Sequence, residues 1–154
     1  MTNADIDGLT EVNLALDGLI AALSPAGRRK LGLRLGRHLR KENMRRIAAN
    51  ISPDGAAFAP RLRQKGQKPK RGRMFKKLRQ ARHFRITRGP DEIRLGFTGR
   101  TGRIAAVHHF GLRDKVSPKG KTHQYAARPL LGFSQADLDA LEDLILSHVS
   151  TGLR

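Results

Sequence analysis

Residues 83–97 read HFRITRGPDEIRLGF. Phe84 and Ile86 alternate with Arg85 and Thr87, Gly89 and Pro90 mark a turn, and Ile93, Leu95 and Phe97 alternate with Arg94 and Gly96. A period of two on both sides of a Gly-Pro turn predicts a hairpin of two antiparallel strands, His83 to Thr87 and Glu92 to Phe97. Segments of helical period lie on either side of it. The combination predicts an α+β fold, with N-terminal helices and a C-terminal helix packed on a small antiparallel sheet, and with a long basic loop.

Upstream, Leu9, Leu16, Leu19, Ile20 and Leu23 recur at helical spacing, with Asp5, Asp7 and Glu11 in the first turns, where carboxylates suit the positive end of the helix dipole. This predicts a helix over 5–23. Ser24 followed by Pro25 matches an N-cap and the first helical position, and Leu31, Leu35, Leu39 and Ile47 define one face of a second helix over 25–50. Its other face is basic: Arg28, Arg29, Arg34, Arg37, Lys41 and Arg45. Pro53, Asp54 and Gly55 form a turn, and an extended basic arm occupies 53–73, punctuated by Gly66, Pro69 and Gly72. Met74 to Leu78 starts a short helix reaching Ala81.

Downstream of the hairpin, Gly99 and Gly102 break the chain. Ile104 to Phe110 fits a helical turn or a strand by periodicity, and we read helix, ended by Gly111. A basic loop follows from Lys115 to Gly120, and His123 to Ala126 is extended ahead of Pro129. Ser134 caps a last helix over 134–150, with Asp137 in its first turn and Leu138, Leu141, Leu144, Ile145 and Val149 as its apolar stripe. The 154 residues suit one domain, with 74–133 as the mixed sheet region.

The composition narrows the function. Lys and Arg number 31 against 13 Asp and Glu, for a net charge of +18, and aromatic residues make up 5%. The charge is segregated: residues 1–23 and 137–154 are net acidic, while residues 61–88 carry 13 Lys and Arg and no carboxylate. Such a block repels itself and calls for solvent, anions or an acidic partner. It reads either as a solvated loop or as a surface facing nucleic acid, with Arg61, Arg63, Lys65, Lys68, Lys70, Arg71 and Arg73 as the DNA-facing candidates. Contact of that kind rests on counterion release and is blind to base sequence. The acidic terminal helices of a neighbouring subunit are an equally physical destination. The apolar stripes on those helices are open between core and subunit interface.

Without cysteine, disulfides, thiolate metal sites and Cys nucleophiles are excluded. No run of 18 apolar residues predicts a membrane span, so a cytoplasmic location is expected. Gly120, Lys121 and Thr122 end like a phosphate loop, but Lys115 stands where that motif needs glycine. His108 and His109 are adjacent and diverge on a helix or a strand, so no shared metal is expected. No nucleophile elbow or central carboxylate pair is present. We expect no enzyme activity, no metal and no cofactor.

Several segments carry a family resemblance. These are residues 46–50 (RIAAN), 53–55 (PDG), 58–60 (FAP), 74–75 (MF), 107–114 (VHHFGLRD) and 125–133 (YAARPLLGF), in that order and spacing. Together with residues 23–29 and the last helix they resemble the phage virion morphogenesis family, the tail completion proteins of contractile-tailed temperate phages. The resemblance spans nearly the whole chain, and residues 107–114 and 125–133 are its most specific parts. It implies a structural protein that acts late in assembly, at the head-proximal end of the tail, and allows head-tail joining. It also implies a homo-oligomeric ring, hexameric by preference, in contact with the tail tube and the terminator or connector proteins, made in the host cytoplasm and carried in the virion. No catalytic residues come with it.

Phe110, Gly111, Leu112, Arg128, Pro129, Leu130, Leu131 and Phe133 are the expected interface or packing residues. Packing is the plainer reading for Phe110, Leu112, Leu130, Leu131 and Phe133. Arg128 to Leu131 is expected to form an arm that fixes the last helix, with Pro129 holding it extended. His109 carries little weight in the resemblance. The rival reading is a sequence-nonspecific nucleic-acid-binding protein acting through residues 61–88.

Overall fold

The structure is a computed structural model that describes residues 14, 17–21, 23–61, 74–89, 92–115 and 119–152. The helix expected over 5–23 falls mostly outside this set, although residues 14 and 17–21 are helical. Of the basic arm expected over 53–73, residues 62–73 lie outside the set. With them go the candidates Arg63, Lys65, Lys68, Lys70, Arg71 and Arg73; Arg61 is described and exposed.

Helix α1 (Pro25–Ala49) begins where expected, since the Ser24 hydroxyl accepts the Gly27 N–H at 3.0 Å and Pro25 fills the first position, which needs no donor. It ends on Asn50, whose left-handed backbone (φ 60°) lets the next N–H, that of Ile51, return to the Arg46 carbonyl at 3.1 Å. The hairpin follows as β1 (Phe84–Arg88) and β2 (Ile93–Phe97), with Phe84 opposite Phe97 and Arg88 opposite Ile93. Phe84 is fully buried and stacks on Phe97 at 4.7 Å between ring centroids. Helix α1 lies across this hairpin at Gly32 and Gly36. A β-carbon at either would stand 2.8 to 3.1 Å from the Ile93 side chain, which would have to shift to admit it.

Helix α2 (Gly99–Phe110) starts earlier than expected. Gly99 and Gly102 do not break the chain, because the Gly102 N–H closes the first helical turn on the Thr98 carbonyl. Strands β3 (Arg113–Lys115) and β4 (Thr122–Gln124) pair as a second antiparallel ladder, with Asp114 opposite His123. The strand expected at His123 is present, its partner β3 overlaps the expected loop only at Lys115, and in place of the expected single sheet the described residues form two separate two-stranded ladders. Arg103 on α2 holds β3 through an ion pair to Asp114 at 2.7 Å.

The short helix expected from Met74 to Ala81 is a chain of turns instead. Phe75 has φ 60°, which a right-handed helix cannot accommodate, and the bonds run Leu78 N–H to Phe75 carbonyl and Gln80 N–H to Lys77 carbonyl. The detour carries Met74, Phe75 and Leu78 into the centre, where Ile47, Phe58, Met74, Leu78, Ala105 and Leu130 form the core. Helix α3 (Gln135–Gly152) closes the fold by packing antiparallel on α1. His148 faces the Gly27 carbonyl at one end of the pair, and Asp137 meets Arg46 at the other.

Candidate functional site

Residues 126–132 form an extended strap laid over the ends of α1 and α2. Every second N–H points inward. Arg128 N–H donates to the His108 carbonyl at 2.7 Å, Leu130 N–H to His109 Nδ1 at 3.1 Å, and Gly132 N–H to Asn43 Oδ1 at 3.1 Å. Pro129, which has no N–H, occupies an outward position where none is needed. The side chains follow the same alternation, with Arg128 and Leu130 buried and Pro129 and Phe133 exposed.

Arg128 ties the strap to the start of the arm. Its Nε donates to the Ala59 carbonyl and its Nη2 to the Pro60 carbonyl, both at 2.8 Å, while Nη1 reaches the Ala126 carbonyl at 3.1 Å. A planar guanidinium suits this because its donors diverge in a fixed fork. At the other end of the strap, Arg46 Nη2 donates to the Gly132 carbonyl at 3.1 Å and Nη1 pairs with the Asp137 carboxylate at 2.6 Å. Asp137 also accepts the Ser134 N–H at 2.8 Å, and Ser134 Oγ accepts the Asp137 N–H at 3.2 Å, a reciprocal cap on α3. Arg46 thus links the end of the strap, through the Gly132 carbonyl, to the first turn of α3, through Asp137.

Burial raises the Asp137 carboxyl, but the Ser134 bonds and the Arg46 cation more than offset it and hold the group below the ordinary carboxylate range. His108 is held below the ordinary histidine range by burial and then by the Arg128 cation, and His109 by burial. The His109 bond fixes its state: a backbone N–H can only donate, so Nδ1 must be unprotonated. His109, to which the sequence reading gave little weight, thus accepts a backbone bond of the strap. Gly111 turns the chain at the end of α2 with φ 65°, and a β-carbon there would lie 2.8 Å from the Ala127 nitrogen in the strap.

Not all the expected packing residues pack. Leu130 is buried in the core and Leu131 packs on its edge, but Phe110, Leu112 and Phe133 are exposed, Phe110 at 67% and Phe133 at 59%. Phe110 is the last residue of α2 before the left-handed turn, and Phe133 takes an outward position just past the strap, so the backbone directs both away from the core. They border an apolar groove of about 520 Å³ whose walls are Leu39 of α1, Leu95 and Phe97 of β2, Ala105 and Ala106 of α2, and Leu131. Asn43 and His109 supply its polar atoms. Among the described residues, no group of three or more His or carboxylate side chains could hold a metal, and no helix is long and apolar enough to cross a membrane.

The sequence profile of the phage virion morphogenesis family matches residues 7–150. The chain belongs to that family. It is also 42% identical, over 139 residues, to the tail completion protein S of Escherichia phage P2, an alignment covering 87% of this chain and 92% of the P2 protein. No solved structure matches. In this member of the virion morphogenesis family, the two segments most specific to the resemblance, residues 107–114 and 125–133, are the end of α2 with its following turn and the strap bonded to it. Asn43, Arg46 and Asp137 were missed as strap anchors. Their signal was a polar side chain on an otherwise apolar helical face: Asn43 and Arg46 continue the Leu35, Leu39 stripe, and Asp137 stands four residues before Leu141.

Proposed function

We propose that this chain completes a phage tail at its head-proximal end and makes the tail competent to join a head. The observation that carries this is the 42% identity to the P2 tail completion protein over 92% of that protein's length. The role is structural rather than catalytic. The protein acts as a ring of identical copies, hexameric by preference, stacked on the tail tube and turned towards the terminator or connector. It is made in the host cytoplasm and remains in the virion tail.

The exposed groove and its rim support such a role. Phe110 and Phe133 at the rim present large apolar surface that the monomer leaves in water, which is the usual mark of a protein contact. A head-to-tail interface of this kind closes into a ring when its rotation permits. The test is negative-stain microscopy of lysates from a phage lacking the gene, with and without the gene in trans. Full heads lying beside unattached or overlong tails, cured by complementation, are the expected result. Normally joined particles in the deletion would overturn the proposal.

A further inference from the structure

Helix α1 has a second face that stands exposed among the described residues. Lys30, Arg34, Arg37, Lys41 and Arg45 follow one another at intervals of four, three, four and four residues, and all five are exposed. At 100° per residue they fall within about 80° of arc, opposite Leu35 and Leu39, and at 1.5 Å per residue the row is about 22 Å long. Glu42 pairs with Arg45 at 2.8 Å, whereas Lys30, Arg34, Arg37 and Lys41 make no ion pair with any described residue. No large apolar side chain of α1 is exposed. Arg28, read from the sequence as part of the basic face, turns away from the row, and its Nη1 donates to the Leu23 carbonyl at 3.1 Å.

We propose that this ridge is a contact surface for the phosphate backbone of double-stranded DNA, bound without regard to base sequence. A duplex carries about one charge per 1.7 Å of axis, so roughly 13 phosphates pass along a ridge of this length, enough to meet every cation in it. The ridge has no aromatic platform on which unstacked bases could lie, which disfavours single strands. The acidic outer face of α3 in a second copy fits it poorly. That face presents Leu138 and Leu146, 47% and 45% exposed, beside Asp139, Glu142 and Asp143, and docking it on a row of cations would give the leucines nothing apolar to meet. A polyanion asks only for charge. The choice of DNA over other polyanions rests on the tail-end placement proposed above, but the binding itself is measured on the isolated protein.

The experiment is fluorescence anisotropy of a labelled random-sequence duplex with the full-length protein across a salt series. The variant R34Q/R37Q/K41Q is compared with R88Q/R100Q/R113Q, which removes the same formal charge from exposed arginines elsewhere. Both are checked by circular dichroism for an unchanged fold. The ridge variant is expected to flatten the slope of log K against log salt by about 2.7, from three lost contacts at about 0.9 each, and to weaken binding at least tenfold, while the control changes the slope by less than about 0.9. Equal losses in both variants would overturn the proposal, since net charge alone would then explain binding. It would also be overturned by a ridge variant that binds duplex normally, or by one that loses self-association in sedimentation while keeping its DNA affinity.

Discussion

The Arg46 guanidinium meets the Asp137 carboxylate at 2.6 Å with both side chains almost wholly buried, and this pair joins the C-terminal end of α1 to the first turn of α3. Two charges can be buried there because each has further partners: Gly132 and Ser134 for the arginine, the Ser134 N–H for the aspartate. Removing one partner leaves the other charge buried and uncompensated, at a cost of about 3–5 kcal/mol. Arg46→Met or Asp137→Leu alone should therefore lower unfolding stability in urea by that amount. The double variant should recover much of the loss, because no buried charge remains.

Arg128→Lys keeps the charge but loses the fork that holds Ala59 and Pro60 together. A lysine has one nitrogen and cannot reach both carbonyls and Ala126 in the same geometry. Loss of charge-assisted bonds costs about 1.5–3 kcal/mol, and the part-buried setting of these carbonyls puts the expected loss at the lower end. The chemical denaturation midpoint should fall accordingly, and the segment around Pro60 should become the first site of limited proteolysis.

The strap is sensitive to acid. His109 and His108 have folded-state values below the ordinary histidine value of 6.5, so below that pH the unfolded chain binds protons that the folded chain refuses. Stability is full above about pH 6.5 and falls as the pH drops through the depressed folded values. Protonation at Nδ1 also removes the acceptor of the Leu130 N–H. Melting temperatures taken from about pH 8 to about pH 5 should decline, and His109→Asn, whose Oδ1 stands where Nδ1 does and accepts the bond without titrating, should flatten the decline. Asp137 adds a separate loss in more acid solution, because its lowered carboxyl contributes stability above the ordinary carboxylate value of 3.8 and loses it as the pH falls through the folded one.

Gly111→Ala should be far more damaging than Gly96→Ala. At 111 the backbone is left-handed and the added methyl meets the Ala127 nitrogen at 2.8 Å, whereas at 96 nothing lies within 4 Å. The conformational part alone costs about 1 kcal/mol, and displacement of the strap adds to it. Thermal unfolding of the two variants side by side checks the difference.

The parts of the fold legible in the sequence were those fixed by local rules. Ser24 and Pro25 start α1, the alternation around Gly89 and Pro90 makes the hairpin, and Ser134 with Asp137 caps α3. The turns at Met74 to Gln80 were misread because Phe75 adopts a left-handed backbone that its residue type does not announce, held where its ring meets Phe58 and His108 edge-on. Strand β3 was missed because Arg113, Asp114 and Lys115 have no apolar alternation, and its pairing is set by β4 and by Arg103. Of the candidate surface, Phe110, Leu112 and Phe133 were named but assigned to packing. The end of the helix at Gly111 was legible, but side-chain type does not reveal that Phe110, its last residue, faces solvent or that the strap turns Phe133 outward.

Extract complementation tests the central claim most directly. Purified protein is added to a lysate of the gene-deleted phage that already holds heads and tails, and infectious titre is measured. The account predicts that the wild-type protein restores titre, and that F110D/F133D, changed only at exposed positions and expected to stay within about 0.5 kcal/mol of wild-type stability, does not. Titre that is already normal without added protein, or restored equally by F110D/F133D, would contradict it.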